Sequence, residues 1–251
     1  MNGDIEAFII HLARATGRRS HVDRLLEVCP VPAKVLDAVD GRALSQAEID
    51  SVYTRDSLHA PHYPFEMTVG EVGCFLSHRK AWQAIVDSGK DAGLVIEDDV
   101  EIDPKAFPPA LALARQHVAE LGYIQFQTRP VRSNYEVVFQ SAGTSLVKPL
   151  ICPLRTSAQI VSAAHARHLL DLTARIDRPV DGFLQLSWAT SLPVCCAVPS
   201  GVGDRTMQAG GSTISVQKNS IAGNLVREVK RFVYRKRVRS RSESFARQAG
   251  G

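Results

Sequence analysis

Residues 93–100 read Gly93-Leu94-Val95-Ile96-Glu97-Asp98-Asp99-Val100, a branched apolar run that drives straight into three consecutive carboxylates. The run is too short for a helix and rich in branched side chains, so it reads as an interior strand whose carboxyl end opens into a crevice. Ligands of open α/β sheets bind at such crevices. Neighbouring carboxylates raise one another's pKa unless a cation or a set of hydrogen-bond donors sits among them. Oxygen donors suit a hard divalent ion, Mn²⁺ or Mg²⁺, which keeps coordination positions for phosphate oxygens, so a phosphorylated substrate is expected with the metal. The plainer reading is a solvated strand end. Just beyond it, Asp103-Pro104 has the pattern of a helix start, with Asp as cap and Pro in the first turn.

Outward from this strand, helix and strand patterns alternate. Residues 7–12 read as a first strand, 18–28 as a helix stopped by Pro30, and 33–38 as a second strand entering the turn Asp37-Ala38-Val39-Asp40-Gly41. Residues 45–58 have helical character. Thr68 and Glu71 form a capping-box pattern, opening a helix to about residue 88 with a stripe of Val72, Phe75, Leu76, Trp82, Ile85 and Val86. After the acidic strand come a helix over 104–121, strands at 123–127, 135–140 and 156–162, a helix over 163–174 and a strand at 193–198. This alternation predicts an α/β sandwich with a mostly parallel central sheet. The Gly-, Ser- and Thr-rich stretch 201–215 is expected to be a mobile loop.

A chain of 251 residues, 45% hydrophobic and 22% charged, is an ordinary globular protein with one good core. No apolar run approaches the roughly 20 residues that cross a bilayer, and the N-terminus is acidic where a signal peptide is basic, so a cytosolic protein is expected. The five cysteines form no CxxC pair and read as small core residues in a reducing compartment. The formal charge of +4 is uneven: residues 227–241 carry eight Lys or Arg against Glu228, a local +7, which leaves the rest near −3. From Ile221 the apolar positions Leu225, Val226, Val229, Phe232 and Val233 keep helical spacing among these cations. Such a basic amphipathic helix suits an anionic membrane surface, here residues 221–241, or packs on the body. Nucleic acid is not an expected partner, because the acidic body lacks interleaved aromatics and a recognised module.

In the helix opened by Thr68, Gly70 and Gly73 would let a backbone or ligand come close to a helix N-terminus, which attracts anions. Ser77, His78 and Lys80 are candidates to bind a nucleotide or acceptor there, although a helical His is as readily a structural donor.

The segment Gly70-Glu-Val-Gly-Cys-Phe-Leu-Ser-His78, followed about twenty residues later by Leu94-Val-Ile-Glu-Asp-Asp99, resembles glycosyltransferase family 25, which includes bacterial lipooligosaccharide and collagen galactosyltransferases. Ile10-His-Leu-Ala-Arg14 with Arg18-Arg19, Asp37-Ala-Val-Asp-Gly41, Thr156-Ser-Ala158 and Arg178-Pro-Val-Asp181 match in order. The matches span roughly residues 7–200, and the resemblance implies a GT-A type, Rossmann-like fold over residues 1–205; the loop and basic helical tail expected over 206–251 rest on the composition and spacing above. The resemblance also implies inverting transfer of a hexose, galactose first, from a UDP-sugar to a glycan or lipid-linked glycan acceptor in lipopolysaccharide or other surface-glycan synthesis; the basic tail adds the expectation of a cytoplasmic protein peripheral on the inner face of the cytoplasmic membrane. Glu97-Asp98-Asp99 would stand for the Asp-x-Asp motif, with Asp99 the metal ligand and Glu97 at the ribose or a metal-bound water. His11, Arg14, Arg18, Asp37 and Asp40 would surround the nucleotide. Two positions depart from the family pattern: His11 where Asn is expected, and Gln159 where Tyr is expected.

Inversion by direct displacement needs a base for the acceptor hydroxyl, and Asp181 is the candidate, its plainer role being a helix cap. The competing expectation is a catalytically inactive sugar-nucleotide- or partner-binding protein of the same fold, for which His11 and Gln159 leave room. A phosphorelay receiver also carries acids after a strand, but its acidic pair lies near the first strand, which here ends in His11.

Overall fold

A computed structural model describes residues 4–206 and 221–249. In chain order the elements are β1 (Ile5–His11), a 3₁₀ turn (Thr16–Arg18), α1 (Arg19–Val28), β2 (Ala33–Asp37), α2 (Gln46–Val52), α3 (Val69–Asp87), β3 (Ala92–Glu97), β4 (Val100–Ile102), α4 (Phe107–Leu121) and β5 (Tyr123–Phe126). Then follow β6 (Tyr135–Ser141), β7 (Thr144–Pro149), β8 (Ala158–Ser162), α5 (Ala163–Leu172), α6 (Val180–Leu184), α7 (Ser187–Thr190), β9 (Cys195–Val198), β10 (Val202–Asp204) and α8 (Ile221–Ala249).

Eight strands form one sheet in the order β2-β1-β3-β8-β5-β9-β7-β6. β1 runs parallel to β2 and β3, and β5 parallel to β9, but β8 lies antiparallel to both β3 and β5, and β7 antiparallel to β6 and β9. The sheet is therefore mixed, which corrects the mostly parallel expectation. The reversals are β8, which enters antiparallel between β3 and β5, and the β6–β7 hairpin at the edge, whose Ala142-Gly143 turn holds two positive φ angles, 49° and 76°. Such a two-residue turn matches strand twist and returns the chain directly. The stretch 201–215 opens with β10, paired to β4, rather than with a loop; its residues 207–215 lie outside the described residues.

Strand alternation sends successive side chains to opposite faces of the sheet. On one face Ala7, Ile9, Leu94, Ile96, Ile124 and Ile160 pack with Val22 and Leu25 of α1 and the buried face of α4. On the other, Phe8, Ile10, Val95 and Val161 pack with Phe75, Trp82 and Ile85 of α3, with α5, and with Phe183 of α6. The result is a three-layer sandwich, and all five cysteines are free thiols.

Thr68 caps α3 with the reciprocal Glu71 bonds its sequence announces. α3 begins against the turn that follows β2. A Cβ built on Gly73 would lie 2.6 Å from the Gly41 amide nitrogen and 2.7 Å from the Val39 carbonyl oxygen, so helix and turn touch backbone to backbone. Ser77 finishes this junction: its Oγ accepts from the Val39 amide (2.8 Å) and donates to the Gly73 carbonyl (2.7 Å).

α8 lies on the body through Tyr234, Val238 and Ser242, all buried. The Tyr234 ring meets Tyr63 edge-on, 5.4 Å between centroids, and its hydroxyl accepts from Nη1 of Arg178, a fully buried arginine paired with Asp177. The apolar positions read from the sequence point the other way: Leu225, Val226, Val229, Phe232 and Val233 are 40–69% exposed.

Candidate functional site

The C-terminal ends of β1 and β3 open into a cavity of about 460 Å³. Glu97, Asp98 and Asp99 line it, joined by Arg14, Arg18 and Asp40 from the segments after β1 and β2, Ser77 and His78 of α3, Asp181 of α6, and Arg231, Tyr234 and Arg235 of α8. Three of the expected binding residues, His11, Asp37 and Lys80, are absent from this lining. His11 is buried behind Asp98, and the exposed Lys80 Nζ donates to the Asp37 carbonyl oxygen at 2.8 Å, bracing the end of β2 on α3.

The three acids have different lives. Asp98 is buried, with His11 Nδ1 donating to one oxygen at 2.7 Å and Arg18 Nη1 to the other at 2.5 Å. Its counter-charge is thus internal, and it is the member of the triplet least available to a metal. Glu97 Oε1 accepts from Thr156 Oγ1 (2.7 Å) and from His78 Nε2 (3.0 Å). Because the Gln159 amide nitrogen donates to His78 Nδ1 at 3.2 Å, the His78 proton sits on Nε2, facing the carboxylate. Gln159, a departure from the family pattern, therefore acts inside the sheet by fixing the His78 tautomer. Burial alone would push the Glu97 carboxyl up, but these donors outweigh it and hold the group below its ordinary pKa. Asp99 is the reverse: burial and then the Glu97 charge push it up to about 6, against Arg18 Nη1 at 3.6 Å and Thr206 Oγ1 at 3.3 Å.

These donors fit a hard divalent ion. Asp99 carries an under-neutralised carboxylate, and both bonds to Glu97 fall on Oε1, leaving Oε2 for a ligand role. Ligand atoms of Cys74, His78 and Glu97 also converge within 4.8 Å, but the His78–Glu97 hydrogen bond accounts for that approach without an ion.

Asp181 does not cap α6 through its own N-cap position, which Pro179 occupies. Its carboxylate instead takes the Gly182 amide on Oδ1 (2.7 Å) and the Arg155 amide on Oδ2 (3.2 Å). Burial outweighs these donors and raises its pKa. Arg155 has a φ of 82°, a left-handed conformation that a non-glycine residue holds only where its surroundings impose it. Here the imposed geometry turns its amide to Asp181 while its guanidinium pairs with Asp204. Among the remaining predicted residues, Arg14 Nε donates to Asp40 Oδ2 at 2.6 Å at the rim.

Sequence reasoning did not single out Arg155, Thr206, Tyr63, Arg231, Tyr234 or Arg235, all of which line the cavity. The available signal was the Arg231/Arg235 spacing, four residues apart on one helix face.

A family model described as "Glycosyltransferase family 25 (LPS biosynthesis protein)" matches residues 4–184. Similar proteins include "Procollagen galactosyltransferase 1" of Danio rerio, 37% identical over 100 residues, covering 39% of this chain and 17% of that protein. Another is "Probable inactive glycosyltransferase 25 family member 3" of Bos taurus, 38% identical over 188 residues, covering 72% of this chain and 31% of that protein. The chain thus spans less than a third of the length of either relative. Among solved structures, "crystal structure of a glycosyltransferase involved in the glycosylation of the major capsid of PBCV-1" aligns with a TM-score of 0.35 and 12% identity over 65% of this chain and 62% of that one.

Proposed function

The chain belongs to glycosyltransferase family 25, and from that premise we propose that it moves a hexose, galactose first among the candidates, from a UDP-sugar to a glycan acceptor with inversion at the anomeric carbon. The observation that carries the reading is the single cavity that gathers Asp99, Glu97, Arg14, Arg18 and Asp181 at the C-terminal edge of β1 and β3. The catalytic unit is residues 1–205, in a GT-A type arrangement, with α8 completing the cavity wall.

Departure of UDP builds negative charge on the diphosphate. Asp99, with Glu97 Oε2, would hold Mn²⁺ or Mg²⁺, which when bound supplies a Lewis acid for that charge. Arg18 and His11 fix Asp98, and through it the backbone that aims Asp99. Asp181 takes the proton of the attacking acceptor hydroxyl; its two amide donors set the carboxylate's direction, and burial makes it a stronger base than an exposed Asp. Asp181→Asn should lower turnover by roughly 10²–10⁴-fold with UDP affinity unchanged; near wild-type turnover would pass the base role to another residue.

A second reading is favoured by one observation: the Bos taurus relative, matched over 72% of this chain, is named as probably inactive. On that reading the cavity binds a sugar nucleotide without turnover. UDP release measured with Mn²⁺ and a panel of UDP-galactose, UDP-glucose and their N-acetyl forms separates the two, because a binding protein releases none.

The acceptor we favour is a lipid-linked glycan of lipopolysaccharide or another bacterial surface glycan, reached from the cytoplasmic face of the membrane. No described helix is long and apolar enough to cross a bilayer. The support is the outer face of α8, where exposed Leu225, Val229 and Phe232 are flanked by Lys230, Lys236 and Arg239. That combination binds anionic bilayers through apolar burial and charge together. The pair Val229→Ser, Phe232→Ser should abolish sedimentation with phosphatidylglycerol vesicles; undiminished sedimentation would refute it.

A further inference from the structure

Two α8 arginines reach the cavity, yet the reaction as drawn above gives them nothing to do, and α8 lies beyond residues 4–184 of the family match. We propose that Arg235, seconded by Arg231, grips the diphosphate of the nucleotide sugar, so that α8 forms a wall of the donor site. This rests on the UDP-sugar reading and deepens it.

The charge inventory of the cavity points this way. Six acids line it: Asp40, Glu71, Glu97, Asp98, Asp99 and Asp181. A diphosphate entering that field needs positive charge beyond one divalent ion. Most of the cavity's arginines are already engaged: Arg14 with Asp40, Arg18 with Asp98, and Arg155 with Asp204. Arg231, half-buried, pairs with the exposed Glu228 one turn earlier on the same helix. Arg235 lines the cavity with no acidic partner among the described residues.

Geometry reinforces the inventory. Residues four apart on a helix place their side chains about 6 Å from one another on one face, a spacing that lets two guanidinium forks address adjacent phosphoryl groups. The rotation of α8 about its axis is fixed by Tyr234, which lies between the two arginines, seated on Tyr63 and bonded to Arg178 Nη1 at 3.1 Å. With Tyr234 so anchored, Arg231 and Arg235 face the cavity. The Arg231 guanidinium also lies over the Phe65 ring, its carbon 5.9 Å from the centroid, which keeps the charged head beside the lining.

The test is calorimetric binding of UMP, UDP and inorganic pyrophosphate to the full chain with Mn²⁺, comparing wild type with Arg235→Gln, Arg235→Lys, Arg231→Gln and, as a control outside the cavity lining, Arg237→Gln. Loss of a charge-assisted contact should weaken UDP and pyrophosphate by roughly 10- to 100-fold for Arg235→Gln. UMP should change far less, Arg235→Lys should recover part of the loss, and Arg237→Gln should match wild type. A structural role for Arg235 would depress UMP and UDP alike, and that result overturns the proposal. So does UDP affinity within twofold of wild type in Arg235→Gln, including the case in which only the KM for a charged acceptor rises. If wild type binds pyrophosphate through Arg235 but releases no UDP from any UDP-sugar, the transfer reading fails and the clasp stands; if wild type binds neither UDP nor pyrophosphate, the clasp fails as well.

Discussion

Replacing Asp99 by Asn should make the metal-free protein more stable at pH 8 and, under the proposed function, remove metal-dependent binding of UDP. Burial, and then the Glu97 charge, raise the Asp99 pKa from 3.8 to about 6. A carboxyl with a raised folded-state pKa holds its proton more tightly folded than unfolded. Its cost to stability is therefore absent below pH 3.8, grows as pH rises toward about 6, and is fully present above that. At about 1.36 kcal/mol per pKa unit the ceiling is roughly 3 kcal/mol. The side chain keeps 20% exposure, and solvent screening brings the expected gain to about 1–2 kcal/mol. Asn retains an oxygen to accept from Thr206 Oγ1, so the substitution removes charge with little loss of hydrogen bonding. Urea unfolding with chelator, at pH 8 and again near pH 4, reads the effect as a rise in midpoint at the higher pH that disappears at the lower. Added Mn²⁺ should stabilise wild type by mass action and leave Asp99→Asn unmoved. Equal or lower stability of the variant at pH 8, or the same gain at both pH values, would refute the reasoning.

Asp98→Asn should behave oppositely, costing about 3 kcal/mol in urea unfolding at pH 7, because it leaves the buried Arg18 and His11 facing a neutral amide. A loss well below 1 kcal/mol would mean that the acid is not their counter-charge. Gly73→Ala would push a methyl into the Gly41 amide and should lower the melting temperature and UDP affinity together, because the turn it displaces carries Asp40; wild-type values for both would disprove the close contact. Tyr234→Phe leaves Arg178 Nη1 without its hydroxyl acceptor and should cost about 1–3 kcal/mol in chemical unfolding. If Asp181 is the base, as proposed, it must be deprotonated, so its raised pKa should shift the acid limb of the kcat profile to higher pH than an ordinary Asp gives; a limb at the ordinary position in a pH–rate series counts against it.

Local patterns carried much of the architecture. The α3 capping box and stripe, the apolar β3 run and the turn at Gly41 depend on neighbours within a few residues, and each stands where its pattern places it. Strand direction does not live in a local pattern, which is why antiparallel β8 in the middle of the sheet escaped the sequence reading. The site shows the same division. The acidic triplet was visible as residue types, but that Asp98 would spend itself on His11 and Arg18, more than 80 positions away along the chain for the first of them, is a fact of packing. In the tail, the apolar positions that the helical spacing displays are the exposed ones, while Tyr234, Val238 and Ser242, which hold it on the body, form no hydrophobic pattern.

The placement of β8 has a consequence for how the molecule matures. β3 gains its neighbour β1 from chain that precedes it, but Thr156, the hydroxyl that tempers Glu97, arrives just ahead of the strand that must slot between β3 and β5. Pairings this distant along the chain form slowly. During refolding, native-like secondary structure should therefore appear before UDP is bound, with ligand capacity emerging in the same kinetic phase as the insertion of that central strand.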